Sequence, residues 1–241
     1  MWNRQELKEK GKLAFKANYW WCVLVAVIMM AATGVSSGSS GSSGSDGDLA
    51  EQLEFISAQS GISVGAIIGA VLGIVALGML IGIVIKSFIS NPIEAGGCRF
   101  FIMNTAGFAQ IGDVVAIFKG GYINTVLTLF LRDLFISLWS LLLIIPGIVK
   151  SYEYRMVPYI LAEEPMTDRK EAFARSKAMM TGQKWNTFVL DLSFIGWEIL
   201  SLFTCGILGI FYVNPYVQAT NAELYNTLKM SQLSGPEIIG E

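Results

Sequence analysis

The sequence predicts an all-α fold: a polytopic transmembrane helical bundle of about six spans, with one or two interfacial amphipathic helices. Three observations predict this class. Of the 241 residues, 53% are hydrophobic and 15% are charged, whereas a soluble domain carries about 25% charged residues. The mean hydropathy is +0.54. The apolar residues also gather in long runs, and a helix that crosses the hydrocarbon core needs about 20 of them.

Composition also argues against several functional classes. The net charge is −2 and there is no histidine. The chain therefore has no basic field to attract nucleic acid, and no histidine for a triad, a metal site or a proton relay. The three cysteines lie far apart and form no C-x-x-C pair, which disfavours a zinc site or a disulfide framework. No Walker loop or nucleophile elbow occurs. We therefore expect no catalytic residue, cofactor or metal, and a protein that is not an enzyme.

The first two spans flank a loop rich in serine and glycine. The first, 17–33, follows a basic region and opens with three aromatic residues, which is typical of a membrane interface. A cleaved signal peptide is the alternative, disfavoured because the basic region is long and contains acidic residues. The second span, 62–85, has no charged residue. Residues 34–61 between the two spans predict a flexible external loop.

The other four spans are less regular. Residues 122–149 end near a Pro-Gly pair, where a helix stops or kinks. A short fourth pass covers 148–162. The fifth covers 185–211 and the sixth 212–228, and they divide near Gly206 to Gly209, with a proline that can open the last helix.

The distribution of lysine and arginine predicts the orientation. The first 16 residues hold five of them, whereas residues 34–61 hold none and carry four acidic residues. The positive-inside rule therefore places the N-terminus in the cytoplasm and this loop outside. The basic segments 86–121 and 163–184 can both lie inside only if two passes separate them. Both termini are then cytoplasmic, and residues 230–241 form a flexible tail on a single integral-membrane domain, 1–229.

Residues 167–181 predict an amphipathic helix on the cytoplasmic face. Asp168 is a candidate N-cap with Glu171 three residues later, as in a capping box. Its apolar residues share one face and its basic residues lie elsewhere, so the helix is expected in the headgroup region. A solvated connector is the alternative. A weaker segment of the same kind covers 109–119.

Two stretches of the chain resemble each other. Residues 116–125 and 178–187 share Ala, Gly and Asn-Thr in register, and Asn-Pro occurs at both 91–92 and 214–215. This pattern suggests a degenerate duplication of the kind found in transporters. Chance similarity is the alternative, because the identities are few.

The second span carries a glycine zipper. Its members are Gly61, Gly65, Gly69 and Gly73, followed by Gly78 and Gly82. Small residues at every fourth position make a flat helix face that another backbone can approach closely. The face could pack within the chain, or mediate a homo-oligomer or contact with another membrane protein. A pore is disfavoured because nothing polar accompanies the glycines.

Several ionisable residues fall at membrane depth or near the Pro-Gly break. They are Arg132, Asp133, Lys150, Glu153, Arg155, Asp191 and Glu198. Such groups are costly in lipid unless they are paired or face water. Asp191 and Glu198 share a helix face, and we expect Arg132 to pair with one of them. The network is either a set of structural ion pairs or part of a substrate or ion pathway.

Several motifs together resemble a known family. They are Asn-Pro-Ile-Glu-Ala-Gly at 91–96, Phe-Leu-Arg-Asp-Leu-Phe at 130–135, the run through Ile-Ile-Pro-Gly-Ile at 138–148, Met-Val-Pro-Tyr at 156–159, and Leu-Asp-Leu-Ser-Phe-Ile-Gly-Trp at 190–197. The chain resembles the bacterial multi-pass membrane family called domain of unknown function 975. It is more distantly similar to the membrane domain attached to some glycerophosphodiester phosphodiesterases. The resemblance implies a polytopic inner-membrane protein and assigns no reaction or ligand.

The expected function follows from the buried charges and the basic helices. We expect a non-enzymatic protein of the bacterial cytoplasmic membrane that binds or handles a lipid, or a small or peptide-like solute, within the helical bundle. The alternative is a structural or regulatory membrane subunit that acts through helix packing at the glycine face. A lipid enzyme is the third possibility. The expected partners are the lipid bilayer and a second membrane protein or copy of the chain, and not nucleic acid.

Overall fold

A computed structural model describes residues 2–33, 55, 57–59 and 63–233. The regular structure of these residues is helical, as the composition predicts. The helices are α1 Arg4–Ala17, α2 Tyr19–Thr33, α3 Val64–Ile85, α4 Asn91–Thr105, α5 Gly112–Lys119, α6 Tyr122–Leu142, α7 Ile144–Glu153, α8 Val157–Glu163, α9 Arg169–Met180, α10 Lys184–Phe203 and α11 Asn214–Leu233. Two π-helical segments, Lys86–Ser90 and Gly209–Val213, precede α4 and α11. Most of the predicted external loop lies outside the described residues.

The chain divides into two compact units. Unit 1 comprises Met1–Thr33 and Ser87–Glu241, and unit 2 comprises Gly34–Lys86. Unit 2 is described by α3, whose N-cap Ser63 accepts a hydrogen bond from the amide of Ala66 at 3.4 Å. Its 22 residues give a length of about 33 Å, so the second predicted span is one helix. Gly61 lies outside the described residues, and the packing role of the other zipper glycines stays a prediction.

Three helical segments are long and apolar enough to cross a membrane. They are Val64–Thr105, Tyr122–Leu142 and Lys184–Phe203. A fourth span results if α1 and α2, which are bent by 102°, are counted together. The fold is therefore all-helical with three or four candidate spans. The fourth predicted pass is not one helix, because α7 and α8 are separated by a turn at residues 154–156.

Proline determines where the chain breaks near residue 143. Helix α6 ends at Leu142, and α7 begins at Ile144 with Pro146 in its first turn. Proline has no N–H, so Pro146 cannot donate to the carbonyl of Leu142 four residues earlier. The break therefore precedes the Pro-Gly pair by three residues.

Proline also opens the two helices that begin with Asn-Pro. Pro92 has no N–H to donate to the carbonyl of Phe88. The hydroxyl of Tyr122 donates to that carbonyl at 2.6 Å instead. In α11, Pro215 occupies the first turn after the second π-helical segment, as the sequence predicts. Both Asn-Pro helices thus follow a π-helical turn, which agrees with the predicted duplication.

The duplication agrees with the helix starts as well. Helix α6 begins at Tyr122 and α10 at Lys184, which are equivalent positions of the two similar stretches. Both helices follow a shorter one, α5 or α9. The C-terminal boundary differs from the prediction: α11 continues to Leu233, so residues 230–233 are helical. Residues 234–241 lie outside the described part of the chain.

The core of unit 1 is formed by α4, α8 and α11, with α1 packed along α11. Phe100, Phe101, Leu161 and Leu224 are fully buried. Helix α4 approaches α5 so closely that a Cβ atom at Gly96 would lie 1.9 Å from the carbonyl oxygen of Val114. This close approach requires glycine.

We predict that Gly96→Ala destabilises unit 1 by at least about 2 kcal/mol, because the added methyl group would overlap a backbone carbonyl that cannot rotate away. The matched control is Gly196→Ala on α10, where a Cβ atom would have nothing within 4 Å. This control should be neutral or stabilising by about 0.5–1 kcal/mol, since alanine favours the helix interior. Thermal unfolding of the detergent-solubilised protein measures both, and equal effects of the two substitutions would contradict the packing argument.

Candidate ligand-binding site

A cavity of about 350 Å³ lies between α2, α4, α8 and α11 in unit 1. This volume is within the range of small-molecule sites. Its polar lining comprises Glu94, Arg155, Tyr159, Asn214, Gln218 and Asn221, and its apolar lining includes Ala26, Met29, Met30 and Pro158. The cavity therefore offers both signs of charge and three side-chain amides on one side, and apolar side chains on the other.

The break between α7 and α8 places Arg155 at this cavity. Such a break leaves backbone groups without helical partners. Here the hydroxyl of Ser176 on α9 donates to the carbonyl of Glu153 at 2.8 Å and accepts from the amide of Met156 at 3.2 Å. Ser176 is fully buried. One serine thus satisfies the backbone on both sides of the break and fixes the turn that carries Arg155.

Arg155 forms a bidentate ion pair with Asp191 of α10. Its two terminal nitrogens donate to the two carboxylate oxygens at 2.5 and 2.8 Å. One of them also donates to the side-chain oxygen of Asn221 at 2.9 Å, and the hydroxyl of Tyr152 donates to Asp191 at 2.8 Å. Because the oxygen of Asn221 is engaged by Arg155, its amide nitrogen is the group that can donate to a ligand.

A second ion pair involves Glu94, which lines the cavity from α4. Arg132 of α6 donates to both of its carboxylate oxygens, at 2.8 and 2.9 Å. Arg132 also pairs with its neighbour Asp133 at 2.8 Å, and its side chain is 11% exposed. Glu94 therefore shares the positive charge of Arg132 with Asp133, and its orientation is fixed by two hydrogen bonds.

The predicted pairing of Arg132 with Asp191 or Glu198 is wrong. Asp191 is taken by Arg155, and Arg132 binds Glu94 and Asp133. Glu198 lies two turns further along α10 and is exposed. The physical reason is that α4, which begins at Asn-Pro, packs against α6. This packing brings Glu94 within hydrogen-bonding distance of Arg132.

The predicted polar residues near the Pro-Gly break form a separate cluster. Glu153 is 4% exposed and accepts from Lys150 and Lys184, each at 2.9 Å. Lys177 of α9 lies 3.9 Å away. The predicted network therefore divides into three groups, centred on Arg132, Glu153 and Arg155. Of the predicted residues, only Arg155 lines the cavity.

Sequence reasoning missed most of the cavity lining. Asn214, Gln218 and Asn221 recur at helical spacing on α11, so a stripe of side-chain amides on one face of this helix was visible in the sequence. Glu94 was assigned to a cytoplasmic segment. The signal for its burial was the apolar sequence around it, together with the proline two residues earlier.

The helix predicted at residues 167–181 is present as α9, and most of its apolar face packs inside unit 1. Asp168 caps it by accepting from the amide of Lys170 at 3.0 Å, as predicted. Ala172, Ser176 and Met180 are fully buried inside unit 1. On the exposed side, Arg175 donates to Glu164 at 2.8 Å. This hydrogen bond and the positive charge of Arg175 lower the pKa of Glu164.

Comparison with known proteins gives one match. Residues 141–232 match the family model described as protein of unknown function (DUF975). This match confirms, for that segment, the resemblance to the family named from the sequence motifs. The segment contains Arg155, Asp191 and the polar stripe of α11. No curated protein and no solved structure matches the chain. In the described ranges, no group of three or more Cys, Asp and Glu side chains is placed to hold a metal.

We predict that Arg155→Met and Asp191→Asn each destabilise the protein by about 2 kcal/mol. This is less than the roughly 3–5 kcal/mol lost when a fully buried pair is broken, because the two side chains are 20% and 32% exposed. The double variant should lose less than the sum of the two single losses, since no uncompensated charge remains. Arg132→Met combined with Asp191→Asn should be additive. Coupling in this second pair, measured by thermal unfolding, would contradict the assignment of partners.

We predict that the Glu164–Arg175 pair stabilises α9 at neutral pH and not in acid. The pKa of Glu164 is lower in the folded protein than its ordinary value, so the stabilisation is present above that ordinary value and is lost as the pH falls through the folded pKa. Glu164→Gln should cost about 0.5 kcal/mol at pH 7, since the pair is exposed, and this cost should disappear only once the pH has fallen below the lowered pKa of Glu164 in the folded protein. A difference in unfolding free energy that grows in acid would contradict this.

Proposed function

We propose that this protein is a non-enzymatic protein of the bacterial cytoplasmic membrane that binds a small polar or amphiphilic ligand, a lipid headgroup or a small solute, between its helices. The observation that carries the proposal is the cavity of about 350 Å³ lined by Glu94, Arg155 and the amides of α11. Ligand sites combine a mostly apolar wall with a few fixed polar groups, and this cavity has both.

The charges around the cavity favour a ligand of low net charge. Arg155 is paired with Asp191, and Glu94 is paired with Arg132, which also binds Asp133 outside the cavity lining. The two charged side chains that line the cavity, Glu94 and Arg155, are opposite in sign. Asn214, Gln218 and Asn221 can each donate and accept hydrogen bonds, which suits a neutral or zwitterionic group. Met29 and Met30 line the apolar side, and their flexible side chains suit an apolar portion of the ligand.

The same contacts favour binding over catalysis. Both oxygens of Glu94 accept from Arg132, and both oxygens of Asp191 accept from Arg155. Both oxygens of each carboxylate are therefore already engaged by a guanidinium group, which leaves neither carboxylate directed at a bound ligand. The family description names no reaction, and the orientation with both termini in the cytoplasm is part of this proposal. The alternative of a subunit that acts by helix packing is supported by the glycine face of α3 alone.

We predict that Gln218→Leu abolishes ligand binding while leaving the fold intact. Gln218 lines the cavity and is half-buried, so leucine fits its space but cannot form hydrogen bonds. The experiment is purification in mild detergent, followed by mass spectrometry of the lipids and solutes that remain bound. The wild-type protein should retain a defined species, and the variant should retain at least about tenfold less, the effect of losing one or two net hydrogen bonds.

The matched control is Gln232→Leu, the same change at an exposed position near the end of α11. It should retain the ligand like the wild type, with the same melting temperature. If Gln218→Leu keeps the species that the wild type carries, or if the wild type carries none, the cavity is not the ligand site.

A further inference from the structure

The two helical hairpins of unit 1 end in exposed apolar turns. In the first, α6 and α7 meet at Leu141–Ile145, whose side chains are 61–86% exposed. In the second, α10 ends at Leu202 and Phe203, which are 79% and 82% exposed. A turn that emerges into water carries polar residues as a rule, and apolar patches on soluble surfaces are small.

We infer that both hairpins are re-entrant: each enters the bilayer from the face that carries the basic residues and returns to that face, with its tip in the hydrocarbon of the nearer leaflet. The hairpins α6–α7 and α10–α11 then do not cross the membrane. Lipid covers the exposed apolar turns, and their side chains contact the acyl chains.

The length of the uncharged arms supports this inference. In the first hairpin, the charged residues nearest the tip are Asp133 and Lys150, which places the tip about 10–14 Å beyond them at 1.5 Å per residue. In the second, exposed Glu198 lies five residues before Phe203, a distance of about 8 Å. One leaflet is about 15 Å thick and the whole core about 30 Å. The arms reach into one leaflet and cannot cross two without drawing an exposed carboxylate into lipid.

Helix α1 contacts the second hairpin at a point that lies outside the hydrocarbon of the membrane. The ammonium group of Lys8 donates to the carbonyl of Ser193 on α10 at 3.4 Å. The hydroxyl of Tyr216 on α11 donates to the carbonyl of Lys8 at 3.2 Å. Both contacts lie about 15 Å below the tip along their arms. Since α1 carries exposed charges at Glu6 and Lys10, this level lies in the headgroups or in water, on the far side of exposed Glu198 from the tip, so only the part of the arm beyond Glu198 enters the hydrocarbon.

The backbone at the second tip is satisfied internally, as hydrocarbon requires. The amides of Thr204 and Gly206 donate to the carbonyl of Ser201 at 3.1 and 2.9 Å. The amide of Cys205 donates to the carbonyl of Leu202 at 3.2 Å. The hydroxyl of Thr204 donates to the carbonyl of Ser201 at 3.0 Å and accepts from the amide of Leu208 at 3.2 Å. A turn in water does not need this degree of internal pairing.

At the first tip the helices are separated by a single residue, Leu143. The amide of Leu143 donates to the carbonyl of Trp139 at 3.0 Å, and its carbonyl accepts from the amide of Gly147 at 3.2 Å. Pro146 brings no N–H that would need a partner. Re-entry also accounts for the charge pattern, because a hairpin that returns to its own face keeps the flanking basic segments on one side.

The native cysteine at the second tip provides the test. Cys205 is exposed, whereas Cys22 and Cys98 are buried, so a nitroxide spin label can be attached to Cys205 without any substitution. The labelled protein is reconstituted in phosphatidylcholine–phosphatidylglycerol vesicles, and power saturation is measured with oxygen and with a water-soluble nickel chelate. We expect the oxygen-to-nickel accessibility ratio to exceed that of a water-exposed site by at least about tenfold, because the polar chelate is excluded from hydrocarbon.

The control is Cys205→Ser combined with Ser231→Cys, which moves the label to an exposed position near the end of α11. The first hairpin is tested by Cys205→Ser combined with Leu142→Cys, which should behave like native Cys205. Nickel accessibility at Cys205 would place the tip in water and overturn the inference. Low accessibility to both reagents would show that protein, and not lipid, covers the tip, and would overturn it as well.

Discussion

Four helices of unit 1, α4, α7, α8 and α11, carry a proline in the first turn, and the groups that satisfy two of these breaks organise the structure. Pro92 leaves the carbonyl of Phe88 to the hydroxyl of Tyr122, which ties the start of α4 to α6. The break before Pro158 is closed by Ser176 from α9. Because unpaired backbone groups are costly inside a protein or a membrane, these partners are required wherever the helices break. The breaks in turn place Glu94 and Arg155 at the cavity.

The features that the sequence predicted correctly are those that depend on residues close together in the chain. The helix of the second span, the N-cap Asp168 and the proline that opens α11 all depend on residues within one turn of each other. Ion-pair partners were predicted wrongly, because Arg132 meets Glu94 across 38 positions of the chain. The turn that carries Arg155 also depends on Ser176, which accepts from the amide of Met156, 20 residues away. Pairings of this kind follow from the packing of α4, α6 and α10, which no periodicity in the sequence reveals.

Unit 1 separates its polar and apolar chemistry along its hairpins. The halves of α6 and α10 nearest their N-termini contain buried residues, whereas the halves nearest the turns expose leucine, isoleucine and phenylalanine. The ion pairs of Arg132, Glu153 and Arg155 lie on the polar side of this division. Both α6 and α10 are long and apolar enough to cross a membrane, and their most exposed leucine, isoleucine and phenylalanine side chains lie near the turns.

The packing of α1 against α11 constrains the order of folding. Leu7, Gly11 and Phe15 form the buried face of α1, and Gly11 lies so close to Thr220 that a Cβ atom would be 2.7 Å from its hydroxyl oxygen. Lys8 and Tyr216, which are hydrogen-bonded, are 208 residues apart in the chain. The buried face of α1 therefore stays uncovered until α11 has been synthesised. Contacts at such separation slow folding and leave apolar surface open to chaperones and proteases during synthesis.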